Sequence, residues 1–337
     1  MDFSTLEKID SQKMYKVYDN WANIAKKSFE SENKPLELDN IDQIVFAGMG
    51  GSGTIGDIFS SILSNSKIHI SIVKGYILPK TVNSKSLIIC TSVSGNTIET
   101  ISVLKEAKNL GCRLVAFSSG GIMESFCKSN NIDFRKIDFC HSPRASFMGF
   151  LFSILKILEQ ITNLTKSDVY ETIKLLDKIS KNISSNNLTS NNSSLNFAEK
   201  MNGIPLIYYP HGLEAAAIRF KNSLQENAKM HVFYEDVIEA CHNSIVSWEK
   251  KSFVQPILIQ GVDDNIKTKE RWKILKKYFK ENNIEYLEIY SVAGNILSKL
   301  VCLIYILDYC SIYKAVILEI NPTPVNSIDY LKKMTNN

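Results

Sequence analysis

Two strand-to-helix junctions in the first half of the chain carry residues suited to binding a phosphorylated molecule. Residues 48–53 read Gly-Met-Gly-Gly-Ser-Gly after a short apolar stretch, which satisfies the spacing G-x-G-x-x-G. Residues 91–100 read Thr-Ser-Val-Ser-Gly-Asn-Thr-Ile-Glu-Thr, a cluster of hydroxyl groups around one glycine. Amides at a helix N-terminus and uncharged hydroxyls can together bind a phosphate dianion. The two segments therefore predict a phosphate site, and helix capping is the alternative role for any single hydroxyl.

The glycine spacing by itself is also typical of nicotinamide dinucleotide sites. Such a site needs an acidic residue about 20 positions further along the chain to hold a ribose hydroxyl. No Asp or Glu lies between Asp57 and Glu99, which argues against NAD and leaves an NADP oxidoreductase as a distant alternative. The sequence also lacks the GxxxxGK[ST] motif of nucleoside triphosphate sites. The pattern favours a small phosphorylated metabolite, with a merely tight turn as the alternative for residues 48–53.

The composition is that of a globular protein and argues against several other classes. Of the 337 residues, 45% are hydrophobic and 22% are charged, and 39 basic against 35 acidic residues give a net charge of +4. Without a clustered basic tract, this charge predicts no nucleic-acid partner. The first residues lack a secretory-signal pattern, and the longest apolar run, at 300–307, is shorter than the ~20 residues of a membrane span. We therefore expect a cytoplasmic protein without a membrane partner.

The cysteines and histidines predict neither a metal site nor disulfide bonds. The seven cysteines are scattered, include no CxxC pair and mostly lie in apolar stretches, where a free thiol behaves as a small hydrophobic side chain. The five histidines form no HExxH motif and no other pair at i,i+4 spacing. We accordingly expect no metal ligands and no cofactor.

Short apolar runs alternate with helical patterns from residue 43 onward. In the first half they predict strands at 43–47, 68–73, 86–91 and 114–118, and helices at 54–63, 97–109, 121–129 and 145–160. Residues 184–194 are too polar for a core and are interpreted as a surface loop or linker. Beyond them, strands are predicted at 204–208, 253–260 and 286–291, and helices at 213–227, 267–279, 296–318 and 328–334. This alternation is typical of an α/β fold with doubly wound, mainly parallel sheets flanked by helices.

Length and pattern together predict two domains that follow a helical start. The first 35 residues have the spacing of an amphipathic helix, with Tyr15, Tyr18 and Trp21 among its apolar positions. The expected limits are 1–35 for this segment, 36–165 for the first α/β domain and 195–337 for the second.

Several short blocks give the chain a resemblance to a known family. In chain order they are GMGGS at 48–52, SVSGNTIET at 92–100, PRA at 143–145, QENAK at 225–229, HNSIV at 242–246, DYCSIY at 308–313, PTPV at 322–325 and IDYLK at 328–332. Together they resemble the sugar isomerase (SIS) fold and, more narrowly, the bifunctional phosphoglucose/phosphomannose isomerase family. Sugar isomerase domains in general share the SGNT-type loop, whereas the ordered set is much more specific.

The resemblance implies two tandem SIS domains and an aldose–ketose isomerase. Such an enzyme would interconvert glucose 6-phosphate, fructose 6-phosphate and also mannose 6-phosphate through an enediolate, without a metal or cofactor. It would be a homodimer whose active sites are shared between the subunits. Glucose and mannose substrates share one enediol and differ only in the face of C2 that is reprotonated, so one site can serve both.

The resemblance also assigns substrate contacts to individual residues. Ser92, Ser94 and Thr97 would hold the phosphate, and Gly51 and Ser52 would contact the sugar.

Four further residues would carry the chemistry. Glu226 would move a proton between C1 and C2, and Arg144 would contact the substrate and stabilise the enediolate charge. His242 would open the sugar ring with Lys332, a role that suits imidazole because it titrates near physiological pH. In the family this histidine comes from the neighbouring subunit. Taken without the resemblance, Glu226, His242 and Lys332 would be interpreted as ordinary surface residues.

Departures from the family pattern leave two other functions open. This chain has Ser244 where the family commonly carries Glu, and Glu-Ala-Cys at 239–241 where Glu-Leu-Asn is usual; both changes lie next to His242. A non-catalytic sugar-phosphate regulator would keep the hydroxyl cluster but would not need Glu226 or Lys332. An isomerase for an amino sugar or a pentose would share that cluster but not the IDYLK block.

Overall fold

Two β-sheets form the centres of the two halves of the chain. The computed structural model describes residues 1–38 and 40–335. The first sheet contains β1 (Gln43–Ala47), β2 (His69–Val73), β3 (Ser86–Thr91), β4 (Arg113–Ser118) and β5 (Asp133–Lys136). The second contains β6 (Ile204–Tyr209), β7 (Phe233–Asp236), β8 (Val254–Gln260) and β9 (Leu287–Tyr290).

All strand pairs are parallel, and both sheets have the same type of strand order. The first sheet runs β2-β1-β3-β4-β5 and the second runs β7-β6-β8-β9. In each sheet the strand order reverses direction at the second strand. In an open parallel sheet this reversal opens a crevice at the carboxyl ends of the two central strands, where ligands bind. The crevices lie between β1 and β3 and between β6 and β8.

Helices surround both sheets. They are α1 (Phe3–Ile9), α2 (Met14–Asp19), α3 (Trp21–Phe29), α4 (Gly51–Ile62), α5 (Ile98–Asn109), α6 (Gly121–Ser129), α7 (Phe147–Ile157), α8 (Lys166–Ile183), α9 (Ser193–Lys200), α10 (Glu214–Asn227), α11 (Val237–Ala240), α12 (Ile266–Glu281), α13 (Ile296–Ile317) and α14 (Asn326–Thr335), with a 3-10 helix at Ser244–Glu249. The predicted α/β class with parallel sheets flanked by helices is confirmed.

Alternate residues of the strands pack into separate cores. In β3, Leu87 and Ile89 belong to one buried cluster, whereas Ile88 and Cys90 belong to another on the opposite face. The first of these clusters also contains residues of β6 and β8, so one continuous core joins the two halves of the chain. Burial on both faces explains why β1 and β3 read as continuous apolar runs in the sequence.

The two strands that the sequence did not predict have little apolar signal. β5 (DFRK) and β7 (FYED) are edge strands with half-buried or exposed residues, and they lack an apolar run. The helices α8 and α9 were also not predicted. The expected domain limits of 36–165 and 195–337 stay predictions, and residues 39, 336 and 337 within them lie outside the described residues.

The prediction for the first 35 residues was wrong, and the one for the polar segment 184–194 was wrong in part. The first 35 residues form three short helices and not one, because the chain turns at Lys13, whose φ is +58°, and again at Asn20. The polar segment 184–194 is not simply a surface linker, since Asn192 is fully buried. Its amide donates to the carbonyls of Ile183 (3.1 Å) and Asn187 (2.7 Å), and its oxygen caps α9. Internal hydrogen bonds allow a polar segment to be buried.

The long apolar helix α13 is the central support of the molecule. By length and composition it is the one helix of the described chain that could span a membrane, but 89% of its most apolar window is buried inside the protein. It packs against α8, α9 and α10. Asp308 of α13 accepts hydrogen bonds from Arg219 of α10 at 2.6 and 2.9 Å and from Ser223 at 2.6 Å. This buried ion pair joins α13 to α10.

Removing the acidic partner of this pair should destabilise the fold strongly. Asp308→Asn leaves the guanidinium of Arg219, which is 1% exposed, without its counter-charge. We expect the free energy of unfolding in urea to fall by about 3–5 kcal/mol. The control Asp177→Asn breaks an exposed pair with Lys181 and should change it little. Equal effects of the two substitutions would contradict this account.

Candidate functional site

The hydroxyl cluster lies at the carboxyl end of β3, on the crevice of the first sheet. The Ser92 and Thr97 hydroxyl oxygens are 2.9 Å apart, and the Ser92 oxygen also accepts from the amide of Gly95 at 3.1 Å. Thr97 is the N-cap residue of α5, but its side chain makes no capping hydrogen bond. Capping therefore does not account for the Thr97 hydroxyl, which points to Ser92. Ser94 is exposed beside them.

The start of α6 fixes the conformation of this loop. Gly95 has φ +70°, and a Cβ at this position would lie 1.7 Å from the carbonyl oxygen of Gly120. The Asn96 side chain accepts from the amide of Ile122 at 3.0 Å, and the Gly95 carbonyl accepts from Met123 at 2.9 Å. The hydroxyls are thus held in place before any ligand arrives.

The glycine turn at the end of β1 lies directly against the hydroxyl cluster. A Cβ on Gly48 would lie 2.9 Å from the carbonyl oxygen of Thr91, the last residue of β3. A Cβ on Gly51 would lie 2.9 Å from Nη1 of Arg219. Gly51 and Ser52 begin α4 and are partly buried. The turn therefore brings helix amides to the crevice between β1 and β3 and also contacts α10 of the second half.

The equivalent crevice of the second sheet has the opposite chemistry. The turn after β8 carries Asp263, paired with Lys299 at 3.0 Å, and Asp264, which accepts from the amide of Gly261 at 2.9 Å. Two carboxylates repel a phosphate dianion. The hydroxyl cluster of Ser92, Ser94 and Thr97 thus lies at the crevice of the first sheet, whereas the crevice of the second sheet is lined by Asp263 and Asp264.

Arg144 is the most highly connected charged side chain at the site. It is 5% exposed. Its Nε donates to Asn227 at 2.7 Å, and its Nη2 donates to the carbonyls of Pro322 at 2.6 Å and Thr323 at 2.8 Å. Its Nη1 donates to Oε2 of Glu226 at 3.2 Å. Four of the five N–H groups of a guanidinium are used in this way, so one N–H on Nη1 is left beside the Glu226 carboxylate.

The predicted base Glu226 lies in the last turn of α10 and lines a cavity. Its side chain is 27% exposed, and the cavity has a volume of about 710 Å³, a size suited to a small ligand. Gly50 of the glycine turn lines the same cavity. The remaining walls come from α10, the loop after it and the start of α14, through Asn222, Gln225, Lys229, Met230, His231 and Pro324–Ile328.

Two cavity residues, Lys229 and His231, received no role from the sequence. Both follow Glu226 within five positions, and a lysine or histidine near a helix end gives no signal of its own. Partial burial of its ammonium group, next to the Arg144 guanidinium, lowers the pKa of Lys229 to about 8. In the described residues, no group of three or more His, Cys, Asp or Glu side chains is arranged to hold a metal ion.

The structure does not bring His242 to this cavity within one chain. His242 is exposed, follows α11 beyond β7, and is not among the cavity residues. Next to it, the Ser244 hydroxyl donates to Glu235 at 2.5 Å, so a carboxylate of β7 lies beside the position where the family has Glu. Lys332 is also exposed, on α14, about 6 Å along the helix beyond the cavity residue Ile328.

The two parallel sheets with the same type of strand order place the protein in the class of tandem SIS-domain proteins. The solved structure of tagatose-6-phosphate ketose/aldose isomerase from Escherichia coli has this fold, with a TM-score of 0.64 at 16% identity over 95% of each chain. The model of the bacterial phospho-glucose isomerase C-terminal SIS domain matches residues 190–334.

Sequence comparison then gives the family. The bifunctional phosphoglucose/phosphomannose isomerase of Caldicellulosiruptor bescii is 30% identical over 88% of this chain and 90% of its own length. A D-glucosamine-6-phosphate 4-epimerase of Sulfolobus acidocaldarius is 26% identical over 75% of this chain and 78% of its own. The chain belongs to the bifunctional phosphoglucose/phosphomannose isomerase family.

The substitution Gly95→Ala in the hydroxyl loop should lower the free energy of unfolding far more than Gly111→Ala, at a glycine with a similar backbone conformation. Gly95→Ala combines left-handed backbone with the contact to Gly120, and we expect a loss of about 3 kcal/mol or more in the free energy of unfolding. Gly111 has nearly the same φ, +68°, with nothing within 4 Å of an added Cβ. Gly111→Ala should therefore cost only about 1–2 kcal/mol. Urea unfolding of both variants measures the difference, and similar losses would contradict the bracing of the loop by α6.

Proposed function

We propose that this protein interconverts glucose 6-phosphate and fructose 6-phosphate, and also mannose 6-phosphate, by aldose–ketose isomerisation. One observation carries this proposal: the Glu226 carboxylate lines a cavity of about 710 Å³, bonded to the buried Arg144 and facing Gly50 of the glycine turn. The carboxylate of Glu226 and Gly50 of the glycine turn thus line one cavity, and the buried Arg144 lies behind the carboxylate without lining the cavity itself. The membership of the chain in a family of isomerases supports catalysis over a regulatory role.

The arrangement suits proton transfer through an enediolate. Glu226 removes the proton from C2 of the open-chain aldose, the C1–C2 double bond forms, and the carbonyl electrons move to the oxygen on C1. The free N–H of Arg144 stabilises that negative charge, an interaction that strengthens as the charge develops. Return of the proton to C1, with transfer of the C2 hydroxyl proton to the C1 oxygen, gives the ketose. No step in this scheme calls for a metal, so activity should survive a chelator.

The phosphate of the substrate would be held by uncharged groups. Ser92, Ser94 and Thr97 offer hydroxyls next to the N-terminus of α5, and Gly51 with Ser52 borders the sugar. Neutral donors at a helix N-terminus bind a dianion and leave the Glu226–Arg144 pair as the charged groups at the reacting carbons.

Ring opening would depend on a second subunit. His242 lies away from the cavity of its own chain, and α14, which carries Lys332, has no buried residue and exposes Tyr330, Leu331 and Met334. An amphipathic helix with exposed apolar residues is typical of a covered interface. We propose a homodimer in which His242 of the partner subunit and Lys332 complete each site. As an enzyme of hexose phosphates, the dimer would act in the cytoplasm, without a nucleic-acid or membrane partner.

Replacing the base should abolish turnover and preserve binding. For Glu226→Gln we expect kcat with fructose 6-phosphate to fall by about 10²–10⁴-fold, because the amide cannot accept the proton, while KM changes little. Glucose 6-phosphate and mannose 6-phosphate are measured separately with a chelator present. Glu214→Gln, at the start of the same helix, is the matched control and should leave kcat unchanged. Normal turnover by Glu226→Gln would overturn the assignment of the base.

Mixing two inactive variants tests whether the sites are shared. Glu226→Gln and His242→Ala should each be inactive alone. In randomly assorted mixed dimers, one of the two sites would contain an intact Glu226 and an intact His242, so activity should return to about a quarter of the wild-type value. If His242 acted within its own chain, every mixed site would carry one lesion and no activity would return.

A second candidate function is the conversion of an amino-sugar phosphate. The observation that favours it is the similarity to the D-glucosamine-6-phosphate 4-epimerase. Incubation of the wild-type protein with glucosamine 6-phosphate, under the conditions used for fructose 6-phosphate, distinguishes the two. Product from glucosamine 6-phosphate alone would favour the epimerase; product from fructose 6-phosphate supports the isomerase.

A further inference from the structure

Lys229 has an unusual backbone conformation at the end of α10. The helix ends at Asn227, and Lys229 follows with φ +56°, in the left-handed region where glycine is the usual residue after a helix. A residue other than glycine in this conformation costs about 1–2 kcal/mol. A lysine here needs a compensating contact, and the side chain supplies one.

The ammonium group of Lys229 lies within hydrogen-bonding distance of four backbone carbonyls. Nζ donates to the carbonyl of Glu226 at 2.6 Å and lies 3.4 Å from that of Asn227, which is an ordinary way to satisfy the end of a helix. It also lies 3.5 Å from the carbonyl of Asn321 and 3.4 Å from that of Pro322. These two carbonyls belong to residues 321–323, a segment we call the 321–323 loop. Helix capping alone does not require them.

The 321–323 loop is also the loop that holds Arg144. The carbonyls of Pro322 and Thr323 accept from Nη2 of Arg144, and the Pro322 carbonyl lies within bonding distance of both cations. Lys229 therefore connects Glu226, which would move the proton, to the 321–323 loop. That loop in turn orients Arg144, which would stabilise the enediolate. The distance between the Glu226 carboxylate and the Arg144 guanidinium depends on this connection.

We propose that Lys229 is a positioning residue, which fixes the 321–323 loop against the end of α10 and thereby sets the geometry of Glu226 and Arg144. This inference deepens the proposed function and rests on it. It predicts an effect on kcat more than on KM, because the ammonium of Lys229 bonds to backbone carbonyls of α10 and the 321–323 loop and not to the hydroxyl cluster that would hold the phosphate.

Protonation of Lys229 should matter for the same reason. The charged groups that face its ammonium are Arg144, from the turn before α7, and Glu226, from α10; the 321–323 loop carries none, and His231 follows two residues later. Partial burial beside Arg144 lowers its pKa to about 8. As pH rises through this value the ammonium loses its charge, its bonds to the carbonyls weaken, and kcat should fall. An arginine at this position stays protonated throughout this range.

The experiment compares three full-length variants with the wild-type protein. For Lys229→Gln we expect kcat with fructose 6-phosphate to fall by about 100-fold, since small misplacements of catalytic groups have effects of this size, while KM stays within about threefold. For Lys229→Arg we expect partial activity and an alkaline limb of the kcat–pH profile that moves up by more than one pH unit. Lys314→Gln is the control, because Lys314 is a buried lysine of α13 that also donates to a backbone carbonyl, that of Met201 at 2.6 Å, but does not line the cavity.

Hydrogen exchange gives a readout that does not depend on activity. In Lys229→Gln the amides of Asn321, Thr323 and Val325 should exchange faster than in the wild type, whereas Lys314→Gln should leave them unchanged. A wild-type kcat in Lys229→Gln, a change in KM alone, or unaltered exchange at these amides would each overturn the role of Lys229. If the wild-type protein does not convert fructose 6-phosphate, the proposed function fails, and the exchange data still decide whether Lys229 holds the loop.

Discussion

The arrangement of the site depends on how a single buried guanidinium is satisfied. Arg144 is almost inaccessible to solvent, and a buried charge is tolerated only when its donors find partners. Its partners come from two distant parts of the chain: Asn227 and Glu226 at the end of α10, and the carbonyls of Pro322 and Thr323 in the 321–323 loop just before α14. Each of these segments must be in place for the charge to be accommodated. The hydrogen bonds of Arg144 therefore bring Glu226, the end of α10 and the 321–323 loop together as one unit.

A second buried arginine, Arg219, holds the backbone of Arg144 in place. Arg219 donates to the Arg144 carbonyl at 2.8 Å and stacks over the ring of Phe147 at 4.3 Å, while its charge is balanced by Asp308 of the central helix α13. The two halves of the chain thus contribute different things. The first sheet supplies neutral hydroxyls and helix amides at its crevice, and α10 of the second half supplies the carboxylate. The second sheet has the same strand order but carries Asp263 and Asp264 at the equivalent turn, so a tandem fold has one phosphate-type crevice and not two.

The positions of His242 and of the exposed apolar residues of α14 support the proposed homodimer. His242 and the exposed apolar residues Tyr330, Leu331 and Met334 of α14 do not line the cavity of their own subunit. Ser244 stands where the family commonly carries Glu, and its hydroxyl donates to the carboxylate of Glu235. In the proposed dimer, the exposed apolar residues of α14 and the surface around His242 would both be buried.

The sequence by itself determined the α/β class, the central strands and the residue types of the two turns, because these depend on local periodicity and on the chemistry of short segments. β1, β3 and their loops were predicted closely since strands buried on both faces are continuously apolar. The edge strands β5 and β7 were not, because their residues are half-exposed and their pairing comes only from neighbouring strands. Nor could the sequence assign Glu226, Arg144 and Lys229 to one cluster without the family resemblance. Their contacts join positions 144, 226–229 and 321–323, and only tertiary packing, driven by the need to satisfy a buried charge, brings such distant segments together.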